Sequence, residues 1–83
     1  MNVENEVIGV IGRVLELGPR TGGLTRDTRL LGSIPELDSM AVATLITSLE
    51  ERFDFVIDDD EIDGTVFTTV GSLADFVKAK LAA

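Results

Sequence analysis

Residues 38–53 read DSMAVATLITSLEERF, and this stretch decides the fold. Its apolar side chains recur at the spacing of one helix face, namely Val42, Leu45, Ile46, Leu49 and Phe53. We therefore expect a helix that begins at Asp38 or Ser39, runs to Asp54 and buries this face in a hydrophobic core. A second and milder row lies to one side of it, and it fits either the margin of the core or a partner surface: Met40, Ala43 and Thr47.

Ser39 stands where this helix begins, and its hydroxyl has two interpretations. Serine and aspartate are common helix caps, because their side chains accept a hydrogen bond from a free backbone N–H group. Alternatively, the hydroxyl is an attachment point, since an anion joined there would lie at the positive end of the helix dipole. Spacing alone favours the capping role.

Two further long helices are predicted from similar patterns. Residues 3–17 form the first, and Gly18-Pro19 is expected to end it. Thr68-Thr69 offers a cap for the last helix, with Lys78 and Lys80 near its end. The residues expected to face the core are Val3, Val7, Val10, Ile11, Val14 and Leu17 in the first helix and Val70, Leu73, Ala74, Val77 and Leu81 in the last. A short third helix is expected over residues 59–63, because acidic residues are favoured at a helix start.

A long connection joins the first two helices over residues 18–37. It is irregular by its glycine and proline content, yet it contains Leu24, Leu30, Leu31, Ile34 and Leu37. Such a loop is expected to pack over the bundle, with one short helical turn over residues 27–31. The prediction is an all-α, four-helix bundle with a short third helix and a long first loop, forming a single domain over residues 1–83.

Composition narrows the function classes. The formal net charge is -8, which repels nucleic acid and anionic lipid and favours a basic protein surface as partner. The chain contains no cysteine and no histidine, so it lacks the usual nucleophile, general base and transition-metal ligands of enzymes. No apolar run approaches the roughly 20 residues that cross a bilayer, and residues 1–7 do not resemble a signal peptide. We expect a cytoplasmic protein with no membrane insertion.

An acidic run after the second helix imitates part of a calcium loop. Asp59, Glu61, Asp63 and Gly64 match the first half of an EF-hand. The bidentate glutamate that such a loop needs at its last position is replaced by Val70. We therefore expect no specific metal site here, and no catalytic carboxylate pair.

Taken together, several motifs resemble the acyl carrier protein family. Asp38-Ser39-Met40 is similar to its Asp-Ser-Leu attachment motif at the start of the second helix. Leu45-x-x-x-Leu49-Glu50-Glu51-x-Phe53 follows at the family's spacing. The resemblance covers nearly the whole chain, through Asp27-Thr28-x-Leu30, Ile57-x-Asp59 and Thr68-Thr69-Val70, with a small expansion around residues 64–67.

This resemblance implies a non-catalytic phosphopantetheine-binding carrier, a phosphoprotein of fatty acid biosynthesis and lipid metabolism. A phosphopantetheinyl transferase, using coenzyme A and magnesium, would esterify Ser39 beside Asp38. The thiol of the arm would then hold an acyl group as a thioester. Partner enzymes, such as an acyl ligase, acyltransferase or synthase, would dock basic patches on the acidic second helix of a monomer. The residues implied in docking are Met40, Ala43, Thr47, Glu50 and Glu51.

Several residues depart from the family pattern. Ala41 and Thr44 stand where many fatty-acid-synthesis carriers have acidic residues, and Arg52 interrupts the acidic face. Pro35-Glu36-Leu37 replaces the usual glycine and small residue before the motif, and Met40 replaces its leucine. These departures favour a dedicated pathway over the general fatty acid synthase.

Two alternatives remain open at this stage. The charge and the row Met40, Ala43 and Thr47 also suit an acidic helical adaptor that binds a basic protein and carries nothing. A carrier of aminoacyl or peptidyl units would use the same attachment chemistry. The strong acidity favours the acyl carrier.

Overall fold

The structure is a computed structural model that describes residues 2–32, 34–35 and 37–82. Glu36, noted above for its place before the motif, lies outside these described residues. The described residues contain α1 (Val3–Val14), α2 (Ser39–Phe53), α3 (Val70–Ala82) and two 3-10 helices, the first at Gly18–Gly23 and the second at Asp59–Glu61. The all-α bundle is thus confirmed, with the short third helix reduced to one 3-10 turn.

α1 ends at Val14, so the prediction that it reaches Leu17 was wrong. Glu16 adopts a left-handed conformation with φ 53°, and this reverses the chain. The Glu16 N–H donates to the Arg13 carbonyl at 3.3 Å, and the Leu17 N–H donates to the Gly12 carbonyl at 2.9 Å. This pair of bonds is a Schellman end. Leu17 is still buried, which is why its spacing looked helical.

The long loop is more ordered than its composition predicts. It opens with the first 3-10 helix, which begins at Gly18-Pro19. The helical turn expected over residues 27–31 is absent, because turns lie at residues 26–27 and 31–32 and the residues between them pair with the chain before α3. Arg29 and Thr69 form an isolated antiparallel bridge, and the Leu30 N–H donates to the Thr68 carbonyl at 3.0 Å. Long-range backbone pairing has replaced local helix formation.

One hydrophobic core joins the described helices to the loop. Its fully buried members include Val7, Val10, Ile11, Leu30, Leu45, Leu49, Val70, Leu73 and Val77. In α2 the line Leu45, Leu49 and Phe53 is buried, whereas Val42 and Ile46 are only half-buried at the core margin. Two apolar residues are 43% exposed, against expectation. Leu81, predicted to face the core, lies in the last turn of α3, where fewer neighbours surround a helix, and Leu31, from the loop expected to pack over the bundle, lies in a turn.

α3 begins with the cap that the sequence predicts. The Thr69 hydroxyl accepts from the Ser72 N–H, and the Ser72 hydroxyl accepts from the Thr69 N–H, both at 3.0 Å. The Ser72 hydroxyl also donates to the Val66 carbonyl at 2.8 Å. This reciprocal capping fixes the residue at which α3 begins. It thereby also fixes the start of α3 relative to the long loop, which pairs with the chain just before α3.

Arg26 ties the long loop to α1 and α3. Its guanidinium pairs with Glu4 of α1 at 3.0 Å and with Asp75 of α3 at 2.5 Å. The Arg26 carbonyl accepts from the Gly71 N–H at 2.8 Å. Hydrogen bonding to Arg26 lowers the pKa of the Asp75 carboxyl. The middle of the loop is therefore held on both helices at once.

A second connection closes the bundle beside α3. The Lys80 ammonium donates to both carboxylate oxygens of Glu61, at 2.9 and 2.8 Å, and lies 6.0 Å from the Phe55 ring centroid. Glu61 also accepts from the Asp58 N–H at 2.8 Å. The Lys80 side chain is 21% exposed and that of Glu61 31%, so solvent screens this pair less than a surface pair. It fastens the second 3-10 helix to α3.

We expect Gly71→Ala to lower the free energy of unfolding by about 1–3 kcal/mol. A Cβ atom at Gly71 would lie 2.7 Å from the Arg26 Cγ and 2.9 Å from its carbonyl oxygen. Gly9 in α1 is the matched control, because nothing lies within 4 Å of a Cβ there. Gly9→Ala should raise the same quantity by up to about 1 kcal/mol, measured by urea unfolding. Equal stability of Gly71→Ala and wild type would contradict the close approach of loop and α3.

We expect Glu61→Gln to lower the melting temperature at pH 7. Hydrogen bonds from Lys80 and then from the Asp58 N–H lower the pKa of Glu61 in the folded protein. The stability from this shift is present above the ordinary glutamate pKa of about 4.3 and is lost as pH falls through the lower folded pKa. The difference between variant and wild type should therefore shrink in acid.

Asp60→Asn is the matched control for Glu61→Gln, because Asp60 is exposed in the same acidic run. It removes the same charge and should leave the melting temperature unchanged or raise it, since like charges repel. Thermal unfolding by circular dichroism over a pH series compares the two. Equal losses for both variants at pH 7 would show that the Lys80 pair stabilises nothing.

Candidate functional site

The start of α2 is capped by Asp38 and not by Ser39. The Asp38 carboxylate accepts from the Ala41 N–H at 2.8 Å, and the Asp38 carbonyl accepts from the Val42 N–H at 2.9 Å. Its backbone is extended, as a capping residue requires. The two interpretations of Ser39 are thereby separated, because its neighbour already performs the capping role.

Ser39 is the first residue of α2, and it is exposed. Within residues 2–32, 34–35 and 37–82, its hydroxyl makes no hydrogen bond to another group of the chain. A hydroxyl in this position is accessible to a second protein. It also lies at a helix start, where N–H groups and the dipole favour an attached anion.

The chain that leads into Ser39 is anchored in the core. Leu37 is 7% exposed, and its N–H donates to the Ile34 carbonyl at 3.0 Å. The Ile34 N–H in turn donates to the Leu30 carbonyl at 3.2 Å, and Leu30 is fully buried. Two residues before the serine, the backbone is thus fixed, so the exposed hydroxyl has a defined position on the surface.

The residues expected to meet partners fall into two groups. Met40 is 79% exposed, and Ala43, Thr47 and Glu51 are exposed as well. Glu50 differs, because it is half-buried and its carboxylate accepts from the Ile57 N–H at 2.8 Å. The Glu50 carboxylate therefore holds the backbone of the segment that follows α2. This contact joins residues seven apart in the sequence, and helix spacing does not predict it.

Arg52 affects the acidic face less than the sequence suggests. Its guanidinium pairs with Glu6 of α1 at 2.8 Å, with a second contact from Nε at 3.2 Å. The positive charge is therefore partly neutralised by another helix. Glu51 lies next to it on α2, and no partner for its carboxylate occurs among the described residues.

The acidic run does not converge on a metal site in the described part of the chain. Glu61 is engaged by Lys80, and Asp63 accepts from the Thr65 hydroxyl and, at 2.9 Å, from the Thr65 N–H. These bonds lower the pKa of Asp63. Two carboxylates of the apparent calcium loop thus hold local structure.

Among the described residues, no helix is long and apolar enough to cross a membrane.

Comparison with known proteins identifies the family. The chain matches the family model described as the phosphopantetheine attachment site over residues 5–77. It is also similar to a holo acyl carrier protein from Nitrosomonas europaea, whose structure was solved by NMR in solution. The two are 54% identical over 100% of each chain, with a TM-score of 0.92.

The family match includes α2 and most of α1 and α3, so it is not confined to the motif at Ser39. The structural similarity extends over the same helices and the long loop. The chain belongs to the acyl carrier protein family, whose members are non-catalytic carriers with covalently attached phosphopantetheine as their cofactor.

Proposed function

We propose that Ser39 is the attachment residue and that a phosphopantetheinyl transferase modifies it with coenzyme A. The observation that carries this proposal is the exposed Ser39 hydroxyl at the first position of α2, next to a cap that Asp38 already supplies. Ser39 lies inside the region that matches the family model. No other serine in the described residues begins a long helix.

The residues around Ser39 fit a phosphodiester. The start of α2 would stabilise the anion through its N–H groups and dipole. The Asp38 carboxylate, the nearest acid in the sequence, is bonded to the Ala41 N–H, and no charged residue follows until Glu50. Buried Leu37 and capped α2 fix the anchor of the arm. When bound, the group supplies a thiol that holds acyl cargo as a thioester, in a chain without cysteine.

Partner enzymes are proposed to contact α2 on the side of Ser39. Met40, Ala43 and Thr47 are exposed along one stripe, and Glu51 continues it toward the C-terminal end. An acyl ligase or acyltransferase with a basic patch would meet the acidic end of the stripe. Glu50 is a weaker candidate, because its carboxylate is bonded to the Ile57 N–H.

Service in a dedicated pathway is part of this proposal. Thr44 is exposed on α2 where carriers of general fatty acid synthesis often have an acid, and its hydroxyl donates to the Met40 carbonyl at 3.0 Å. A synthase enzyme that recognises a carboxylate at position 44 would meet an uncharged threonine there. The similarity to an acyl carrier protein favours acyl over aminoacyl cargo, and nothing in the described structure favours an adaptor.

Three expectations from the sequence remain predictions: a single domain over residues 1–83, a monomer, and a cytoplasmic location.

We expect the apo protein to gain one phosphopantetheine when it is incubated with coenzyme A, magnesium and a broad-specificity transferase. Ser39→Ala should abolish the gain, because it removes the acceptor oxygen. Ser48→Ala, in the same helix, should be modified like wild type. Intact mass and peptide fragmentation measure the product. An unmodified wild type, under conditions that load a control carrier, would count against the assignment.

We expect the holo protein to be a poor substrate for a malonyl-transferring enzyme of a general fatty acid synthase, with a KM about tenfold above that of the enzyme's own carrier. Thr44→Glu should lower that KM, because it restores an acid at an exposed position of α2. Steady-state kinetics with both carriers provide the measurement. A wild-type KM equal to that of the general carrier would argue against a dedicated pathway.

A further inference from the structure

The sequence contains a single aspartate that is followed by glycine, at Asp63-Gly64. The pair lies between the second 3-10 helix and α3, and Asp63, Gly64 and Thr65 are all exposed. A Cβ atom at Gly64 would meet nothing within 4 Å. Because glycine has no side chain, its backbone nitrogen is sterically open to the side chain that precedes it. The main chain itself is therefore open to reaction at this point.

An aspartate before glycine can close a ring with the next residue. The Gly64 nitrogen attacks Cγ of Asp63, a C–N bond forms, and the N–H proton leaves with one carboxyl oxygen as water. The product is a succinimide, and water then opens its ring at one of two carbonyl carbons. Opening at the former side-chain carbon restores aspartate. Opening at the former main-chain carbon gives isoaspartate, in which the chain runs through the old side chain.

Thr65 restrains the Asp63 carboxylate. One oxygen of this carboxylate accepts from the Thr65 hydroxyl and, at 2.9 Å, from the Thr65 N–H. The Asp63 carbonyl also accepts from the Val66 N–H at 3.2 Å. Ring closure requires the carboxyl group and the backbone at Asp63 to rotate, so these bonds oppose it. The bonds from Thr65 also lower the pKa of Asp63, and the ionised carboxylate is the poorer electrophile because its departing oxygen must first be protonated.

We propose that Asp63 is a site of spontaneous isomerisation to isoaspartate, and that Thr65 is the residue that retards it. This inference goes beyond the proposed carrier function and does not depend on it. Asp38 also precedes a small residue, but its carboxylate is bonded to the Ala41 N–H, and Ser39 already belongs to α2. Every other aspartate precedes a residue with a larger side chain. Asp63 is thus the aspartate at which ring closure meets least hindrance.

Isomerisation at Asp63 would disturb contacts that position α3 and the long loop. It lengthens the main chain by one methylene group just before a turn, and the Val66 carbonyl of that turn accepts from the Ser72 hydroxyl at 2.8 Å. Beyond the turn, the Thr68 carbonyl accepts from the Leu30 N–H at 3.0 Å. We therefore expect the isoaspartate form to have a lower melting temperature than the unmodified chain. Age would thus weaken the loop that leads to the start of α2.

Ageing of the purified full chain tests the inference. Kept for weeks at neutral pH and physiological temperature, wild type should accumulate isoaspartate at residue 63. Methylation by an isoaspartyl methyltransferase with labelled S-adenosylmethionine measures the amount, and electron-transfer fragmentation locates the residue. Gly64→Ala fits the open space at this position and should slow the reaction by about tenfold, because a methyl group hinders the attack. The inference is overturned if wild type forms none while Asp63→Asn, which reacts by loss of ammonia, does so under the same conditions.

The role of Thr65 has a matched control in the same turn. Thr65→Val should raise the rate of isoaspartate formation by about tenfold, because it removes the hydroxyl bond and lets the carboxyl group rotate. The Thr68 hydroxyl donates to the Gly64 carbonyl at 3.1 Å and not to Asp63, so Thr68→Val should stay within about twofold of wild type. A rate for Thr65→Val equal to that of wild type, or matched by Thr68→Val, would overturn the role given to Thr65.

Two further variants separate this inference from an altered fold and from the carrier function. Thr65→Ser keeps a hydroxyl and should age at the wild-type rate, whereas fast ageing of this variant would contradict the role of the hydroxyl bond. Ser39→Ala should also age like wild type, so a failure of attachment at Ser39 would leave the inference intact. Isoaspartate found chiefly at Asp38 would overturn it, because the capped start of α2 would then be the more reactive site.

Discussion

The hydrogen bond from the Ala41 N–H to the Asp38 carboxylate is the contact on which the functional interpretation depends. It caps α2 from the residue just before the serine, so the Ser39 hydroxyl is not needed as a cap. Loss of an aspartate cap costs a helix roughly 1 kcal/mol, which matters in a small domain of modest stability. One side chain thus secures the helix start and leaves the next one accessible to another protein.

The position of that helix start is set by distant parts of the chain. Buried Leu30 and Leu37 hold the long loop in the core, and the loop pairs with the segment before α3. Arg26 then connects the loop to Glu4 of α1 and Asp75 of α3. The Ser39 hydroxyl has a defined location on the surface because buried leucines pack the loop that leads to it, although the glycine and proline content of that loop is typical of an irregular segment.

Local patterns predicted the helices and the position of Ser39 at a helix start, whereas the attachment role came from the family resemblance and tertiary contacts account for what the patterns missed. The α2 stripe and the Thr69 cap follow from spacing and capping preferences, and so does the place of Ser39. The end of α1 could not be predicted in this way, because Glu16, which is not a glycine, adopts the left-handed conformation there. The bond from the Ile57 N–H to Glu50 joins α2 to the segment after it, which helix spacing does not predict. The sequence analysis therefore assigned Glu50 a role only in docking partner enzymes.

The central claim is that an exposed serine at the start of α2 bears the arm by which this carrier works. The most direct test is mass spectrometry of the protein isolated from its own cells, with fragmentation of the peptide that contains Ser39. We expect phosphopantetheine, free or acylated, on that serine. A native protein that lacks the group, or that bears it on another residue, would contradict the claim.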